Sequence, residues 1–267
     1  MIDFNSHLQK FSDYVDKFGS NDPKDRENID LKKDHSLRVY QEAKSLTQEM
    51  DFSSEYIQLA RLTALYHDIG RFPQYFQYGS FNDKFTVNHG LLGFKTLRRN
   101  SFLSDLPAQK RKKVFYAVLN HNKAKIPELL PRDYAFVLQV VRDSDKLDIM
   151  NVLLQYFADK DNTNKVVTLG LNSDPEKYSK KVISSLLSGK LVEYSDLFWI
   201  NDFKLMLLSW VYDFNFAHTQ TQVINKAYLE RILNLLPNTA DIKQVEEKIC
   251  TYMQSKDLFF SVHRSAS

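Results

Sequence analysis

The chain has 267 residues, enough for one sizeable core or two small ones. Apolar residues make up 43% and charged residues 26%, an ordinary balance for a globular protein, and 7 glycines and 7 prolines are too few for a loop-rich all-β fold. A net charge of +3 is too small to argue for a nucleic acid polymer or an anionic membrane, and the single cysteine, Cys250, excludes an internal disulfide and a Cys-rich zinc site.

Periodicity is helical almost throughout. A first helix is expected over residues 4–18, closed by Gly19. Residues 20–30 are polar, carry Pro23 and read as a loop. Helices follow over 31–50, 54–69 and 88–98. Pro107 opens another that ends near His121, and Pro127 and Pro131 break the chain before a long helix at 133–158. The basic run QKRKK at 109–113 and the pair Arg98-Arg99 read as a solvated helix start and a loop, because no aromatics interleave them as a base-stacking platform needs. Residues 159–175 are polar, contain one short β-like run, VVTL, and are the best boundary candidate. Helical pattern returns from 175 to the end. We expect a single all-α domain, 1–267, with a metal-binding core at 31–158 and a C-terminal helical cap at 159–267 packed on it. No window approaches the ~18 apolar residues of a membrane span, and the N-terminus has no basic segment leading into an apolar one. The expected location is the cytoplasm, with no membrane partner.

The most informative feature is the adjacent pair His67-Asp68, at the end of YIQLARLTALYHDIG. An imidazole nitrogen beside a carboxylate oxygen suits a divalent metal of intermediate softness. Helix-face reading adds companions. His35 shares a face with Leu31, Val39 and Leu46. His67 follows Tyr56, Ala60 and Ala64, His89 accompanies Leu92 and Leu97, and His121 follows Val114, Ala117 and Val118. On the long helix Tyr134, Leu138, Val141, Asp145, Asp148 and Val152 make one stripe, with Asp143 off it. A buried carboxylate such as Asp145 needs a counter-charge, from a metal or from an inward salt bridge. One inward histidine is ordinarily a hydrogen-bonded core residue. Four on different helices, with two carboxylates, are harder to explain that way. His7, His218 and His263 lack such company and read as surface or packing residues. Six donors exceed one tetrahedral zinc. They suit one or two divalent transition metal ions, with iron, manganese, nickel, cobalt and zinc all compatible. Two ions about 3.5–4 Å apart suit phosphoryl displacement.

At these residues the chain resembles the HD-domain superfamily of metal-dependent phosphohydrolases. The resemblance is carried by His35 in KKDHSLRV, His67-Asp68 in ALYHDIGRF and Asp145 in RDSDKLDIM, and spans roughly residues 31–156. It implies a helical bundle with the metal held between helices. It implies His35, His67, Asp68 and Asp145 as ligands of one ion, His89 and His121 as ligands of a second, and Asp68 as the bridge. Lys146 stands where related nucleotide hydrolases place a phosphate-binding lysine, although a solvated helix charge is its plainer reading. Arg71 and Gln74 are candidate substrate groups, Tyr75 a pocket wall, and Trp210 and Asp213 candidates to close the pocket from the cap.

The expected function is hydrolysis of a nucleotide or another small phosphorylated metabolite by metal-activated water. Asp68 would anchor the metal, and His89 or His121, where not ligating, would protonate the leaving oxygen. The same ligand set would serve a di-iron, O2-dependent oxygenase of the HD-domain type, and a nucleotide-binding sensor without turnover is the third alternative. Oligomeric state has no signal.

Overall fold

The computed structural model describes residues 1–48, 50–158 and 166–256. The protein is all-α. Its helices are α1 (Phe4–Val15), α2 (Pro23–Leu46), α3 (Ser54–Tyr66), α4 (Arg71–Tyr78), α5 (His89–Arg99), α6 (Ala108–Asn120) and α7 (Arg132–Ala158), followed by α8 (Lys180–Leu187), α9 (Ile200–Ser209), α10 (Ala217–Asn225), α11 (Tyr228–Asn234) and α12 (Ala240–Gln254). Among the described residues there is no strand, only an isolated parallel bridge between Asn172 and Trp199. The VVTL run is a turn: Leu169 and Gly170 both take left-handed backbone angles, φ 56° and 70°, which coil the chain instead of extending it.

Two departures from expectation have local reasons. Helix α2 begins at Pro23, inside the stretch read as a loop. Asp22 is its N-cap, accepting from the backbone N–H groups of Lys24 and Asp25, and Pro23 sits where a missing N–H costs nothing. Helix α4 had no sequence signal, because Pro73 masks it. That proline lies in the first turn, where the helix tolerates it, and Gly79 closes the helix at φ 62°.

The chain falls into two compact units, Met1–Asp148 and Ile149–Ser267. In the first, α2 packs on α3, α3 on α6, α5 on both α4 and α6, and α1 lies against α2 and α3. Phe11 of α1 meets Tyr66 and Phe72 edge-on. Val39, Leu62, Leu65, Val114 and Val118 are wholly buried, each contributing roughly 1.5–3 kcal/mol of transfer free energy. The α4–α5 and α5–α6 contacts are unusually close. A Cβ on Gly70 would lie 2.3 Å from the His89 carbonyl oxygen, and one on Gly90 3.0 Å from the carbonyls of Val118 and Leu119. Glycine at both positions lets the backbones of three elements meet, beside His67 just before α4, His89 at the start of α5 and His121 at the end of α6.

The second unit is built separately, with α8 against α9 and α12, and α11 against α9 and α10. Val182, Leu186, Leu205, Leu208, Val245 and Ile249 fill its core. The buried Asp202 carboxylate accepts from Ser179 N and Oγ, both at 2.6 Å, and from Phe198 N and Trp199 N, tying the starts of α8 and α9 together. Trp210 and Asp213 belong to this unit.

Candidate metal centre

Helix ends deliver the site. His67 and His121 each stand one residue past a helix, α3 and α6, as its C-cap. In both the Nδ1–H turns back onto the carbonyl three residues earlier, Ala64 at 2.7 Å and Val118 at 2.8 Å. His89 opens α5 and His35 lies within α2. Their Nδ1 atoms face carboxylates, Asp83 at 2.6 Å and Asp148 at 2.7 Å. All four rings therefore hold a hydrogen at Nδ1 and turn Nε2 inward, the tautomer that ligates a metal.

The Nε2 atoms converge in two pairs, His35 with His67 at 3.3 Å and His89 with His121 at 3.0 Å. Asp68 lies between them. Its Oδ2 is 3.5 Å from His35 Nε2 and 3.8 Å from His67 Nε2, while its Oδ1 is 3.4 Å from His89 Nε2 and 3.6 Å from His121 Nε2. Asp145 Oδ1 joins the first pair, at 3.2 and 3.6 Å, and is buried without a hydrogen-bond donor. One half-site thus has four donors and the other three, with the two Asp68 oxygens divided between them.

These residues fit divalent ions. Donors held at about 2.1 Å from one ion stand about 3.0 Å apart at right angles and about 3.4 Å apart at the tetrahedral angle. The observed spacings fall at those values or slightly beyond. Neutral rings with Nδ1–H would otherwise aim lone pairs at each other, and a cation between them removes that repulsion. His35, His67 and Asp145 form one cluster of this kind, and His67, Asp68 and His121 another.

The electrostatics of the chain alone point the same way. Burial pulls His89 down to about 3, reinforced by Arg71, so its imidazole is neutral and available. Burial and Lys32 push His35 down, but the carboxylates of Asp145 and Asp148 outweigh them and leave it raised. Burial pushes Asp68 up, yet Lys32, His67 and Arg71 hold it well below the usual carboxylate range. Asp145 is held low by His35 and His67 against the same burial.

Around the donors lies a layer that the sequence did not single out. Lys32 Nζ is 3.0 Å from Asp68 Oδ2. Arg38 pairs with Asp148 at 2.6 Å. Asp83 gathers His89, Arg71, Gln74 and Asn122. Asp148 had a signal, since it lies one turn beyond Asp145 on the same stripe. Asp83 had none, being one acidic residue in a polar connection. Asp143, placed off the stripe, is fully buried, because α7 is covered on more than one side over residues 136–148.

Of the expected substrate groups, Arg71 reaches the centre, with Nε 3.5 Å from Asp68 Oδ1. Its Nη1 donates to Gln74, Phe81 and Asp83. Gln74 is fully buried, its amide engaged by Arg71, Asp83, Thr86 and Val87. Tyr75 is buried and bonds Asp25 and Asn28. Lys146 is buried as well, not a solvated helix charge. His7 is buried between Tyr66 and Asp105, so it packs in the core, while His218 is only partly covered. His263 lies outside the described residues.

With the site laid out, residues 33–150 match the model of a protein family described as HD domain. No curated protein matches the chain. No helix among the described residues is long and apolar enough to cross a membrane.

Proposed function

On the premise that residues 33–150 form an HD domain, we propose that the chain is a metal-dependent phosphohydrolase acting on a nucleotide or another small phosphorylated metabolite. The observation that carries this reading is the division of Asp68, one carboxylate oxygen to each of two donor sets. When bound, two divalent ions supply Lewis acidity at a phosphoryl group and water of lowered pKa. Histidine, aspartate and the absence of a thiolate fit manganese, iron, cobalt, nickel or zinc.

The chain's own residues have separable tasks. His35, His67 and Asp145 would hold one ion, His89 and His121 the other, and Asp68 both. His89 and His121 have Nδ1–H committed to Asp83 and Val118, so we assign them to ligation and not to protonating the leaving oxygen. Lys32, partly exposed beside Asp68, and Arg71 on the other Asp68 oxygen would neutralise phosphate oxygens. Lys146 remains a candidate for the same task.

The test is phosphate release from a panel of small phosphorylated metabolites by protein reconstituted with Mn²⁺, Co²⁺, Ni²⁺, Fe²⁺ or Zn²⁺, run anaerobically. Turnover with Mn²⁺ or Co²⁺ is expected. Silence with every metal, together with substrate-dependent O2 uptake by the iron form in a parallel aerobic run, would replace the hydrolase with an oxygenase. Tight nucleotide binding without turnover would leave a sensor.

A further inference from the structure

The connection between α4 and α5, residues 79–88, holds a heavily engaged carboxylate, Asp83, that is not itself a candidate ligand. Asp83 Oδ1 accepts from Arg71 Nη1 and Gln74 Nε2, both at 2.9 Å. Its Oδ2 accepts from His89 Nδ1 at 2.6 Å, from Asn122 Nδ2 at 3.2 Å and from the His89 backbone N–H at 3.4 Å. We propose that Asp83 is the positioning residue of the three-donor half of the centre, so that removing its negative charge releases one ion and leaves the other. This inference rests on the two-ion reading above.

The reason lies in the hydrogen on His89. A carboxylate at Nδ1 can only accept, so it fixes the hydrogen there and leaves Nε2 bare for a metal. Asn122 Nδ2 stands 3.3 Å from the same Nδ1 and can only donate. Asp83 decides that competition. Replace it with asparagine, and the amide oxygen goes to Arg71 and Gln74 while the amide hydrogens turn toward His89. Two donors then face Nδ1, the hydrogen moves to Nε2, and the ring can no longer ligate. The half-site has only His89, His121 and one Asp68 oxygen, so it cannot spare a donor. The two histidines of the four-donor half are oriented by other groups. His35 takes its tautomer from Asp148 and His67 from the Ala64 carbonyl, and neither touches Asp83.

The experiment uses the full chain and Zn²⁺, a diamagnetic probe. Zinc content after dialysis and the two stepwise dissociation constants are measured for wild type, D83N and D148N. Nitrogen chemical shifts of ¹⁵N-labelled histidines report each tautomer. Wild type should hold two ions. D83N should hold one, with its second dissociation constant raised about 10–100-fold and His89 alone switched to the Nε2–H form. D148N should weaken the other ion. A D83N protein that keeps both ions at wild-type affinity overturns the proposal while sparing the two-ion reading. A wild type that takes a single ion overturns both. If D83N does not fold, the wild-type spectrum decides: the Nδ1–H form at His89 supports the proposal and the Nε2–H form overturns it.

Discussion

Gly70→Ala isolates the contact on which the centre is assembled. Gly70 has φ −72° and ψ −17°, an ordinary right-handed conformation that alanine adopts freely. Considered by backbone alone, the substitution should stabilise by about 0.4–1 kcal/mol, because alanine has less freedom to lose on folding. The added methyl meets backbone, however: the His89 carbonyl oxygen at 2.3 Å, Gly93 N at 2.4 Å and Gly93 Cα at 3.0 Å. Ordinary contact begins at 3.4 Å, so α5 must retreat by about 1 Å, and no flexible side chain can absorb the shift. Overpacking of this kind costs about 1–3 kcal/mol, and a rigid backbone neighbour places it at the upper end. The clash wins, for a net loss of about 2–3 kcal/mol. At roughly 2–4 °C per kcal/mol for a chain of this size, the metal-free Tm falls by about 4–12 °C. The retreat also carries His89 away from Asp68 Oδ1, which weakens metal binding in the three-donor half. Thermal unfolding by circular dichroism and a zinc titration read the two effects. An unchanged or raised Tm would mean that the entropic gain outweighs the clash, and the close backbone contact would then have no energetic consequence. Gly79→Ala is the contrasting case: nothing lies within 4 Å, and the loss of about 1–2 kcal/mol comes only from φ 62°.

Asp145→Asn removes a charged donor from the four-donor half. It should abolish tight binding of one ion and lower the Tm of the metal-loaded protein, with little change after chelation. Equal metal content in variant and wild type would count against this assignment. Lys32→Met should raise KM for phosphorylated substrates about tenfold or more, with metal content unchanged. A KM that does not move would exclude Lys32 from substrate contact. Burial lowers the pKa of His7, against the pull of Asp105, so the folded chain resists a proton that the unfolded chain accepts. The stability associated with neutral His7 is complete above about pH 6.5 and is lost as pH falls from there toward the lowered folded value. Urea midpoints of metal-free protein between pH 8 and 5 should fall less steeply for His7→Asn than for wild type, and identical slopes would contradict this.

The six donors were legible because each sits on an amphipathic face or beside a helix end, where local periodicity reports direction. His67 and His121 were the clearest, since their orientation depends only on their own helix. The surrounding layer was much less legible. Asp83, Lys32 and Asn122 acquire roles through contacts that no spacing encodes, and Asp148 was visible only as a member of the Asp145 stripe. Helix α4 was hidden by Pro73 and the first turns of α2 by Pro23. In both, a residue that usually interrupts a helix stands in the one turn that accepts it. The stripe on α7 misled at Asp143, because a helix covered on several sides has no polar face to display.

The bond from His35 to Asp148 joins residues 113 apart in sequence. An ion that takes His35 and Asp145 together would fasten that junction in the manner of a crosslink. Tying off a loop of about 100 residues is worth roughly 4–5 kcal/mol of chain entropy. The centre would then be a clasp as well as a place for chemistry, closing the first unit end to end. It cannot form until distant parts of the chain have met, so ion uptake during refolding should mark the last long-range closure of that unit and not its first collapse.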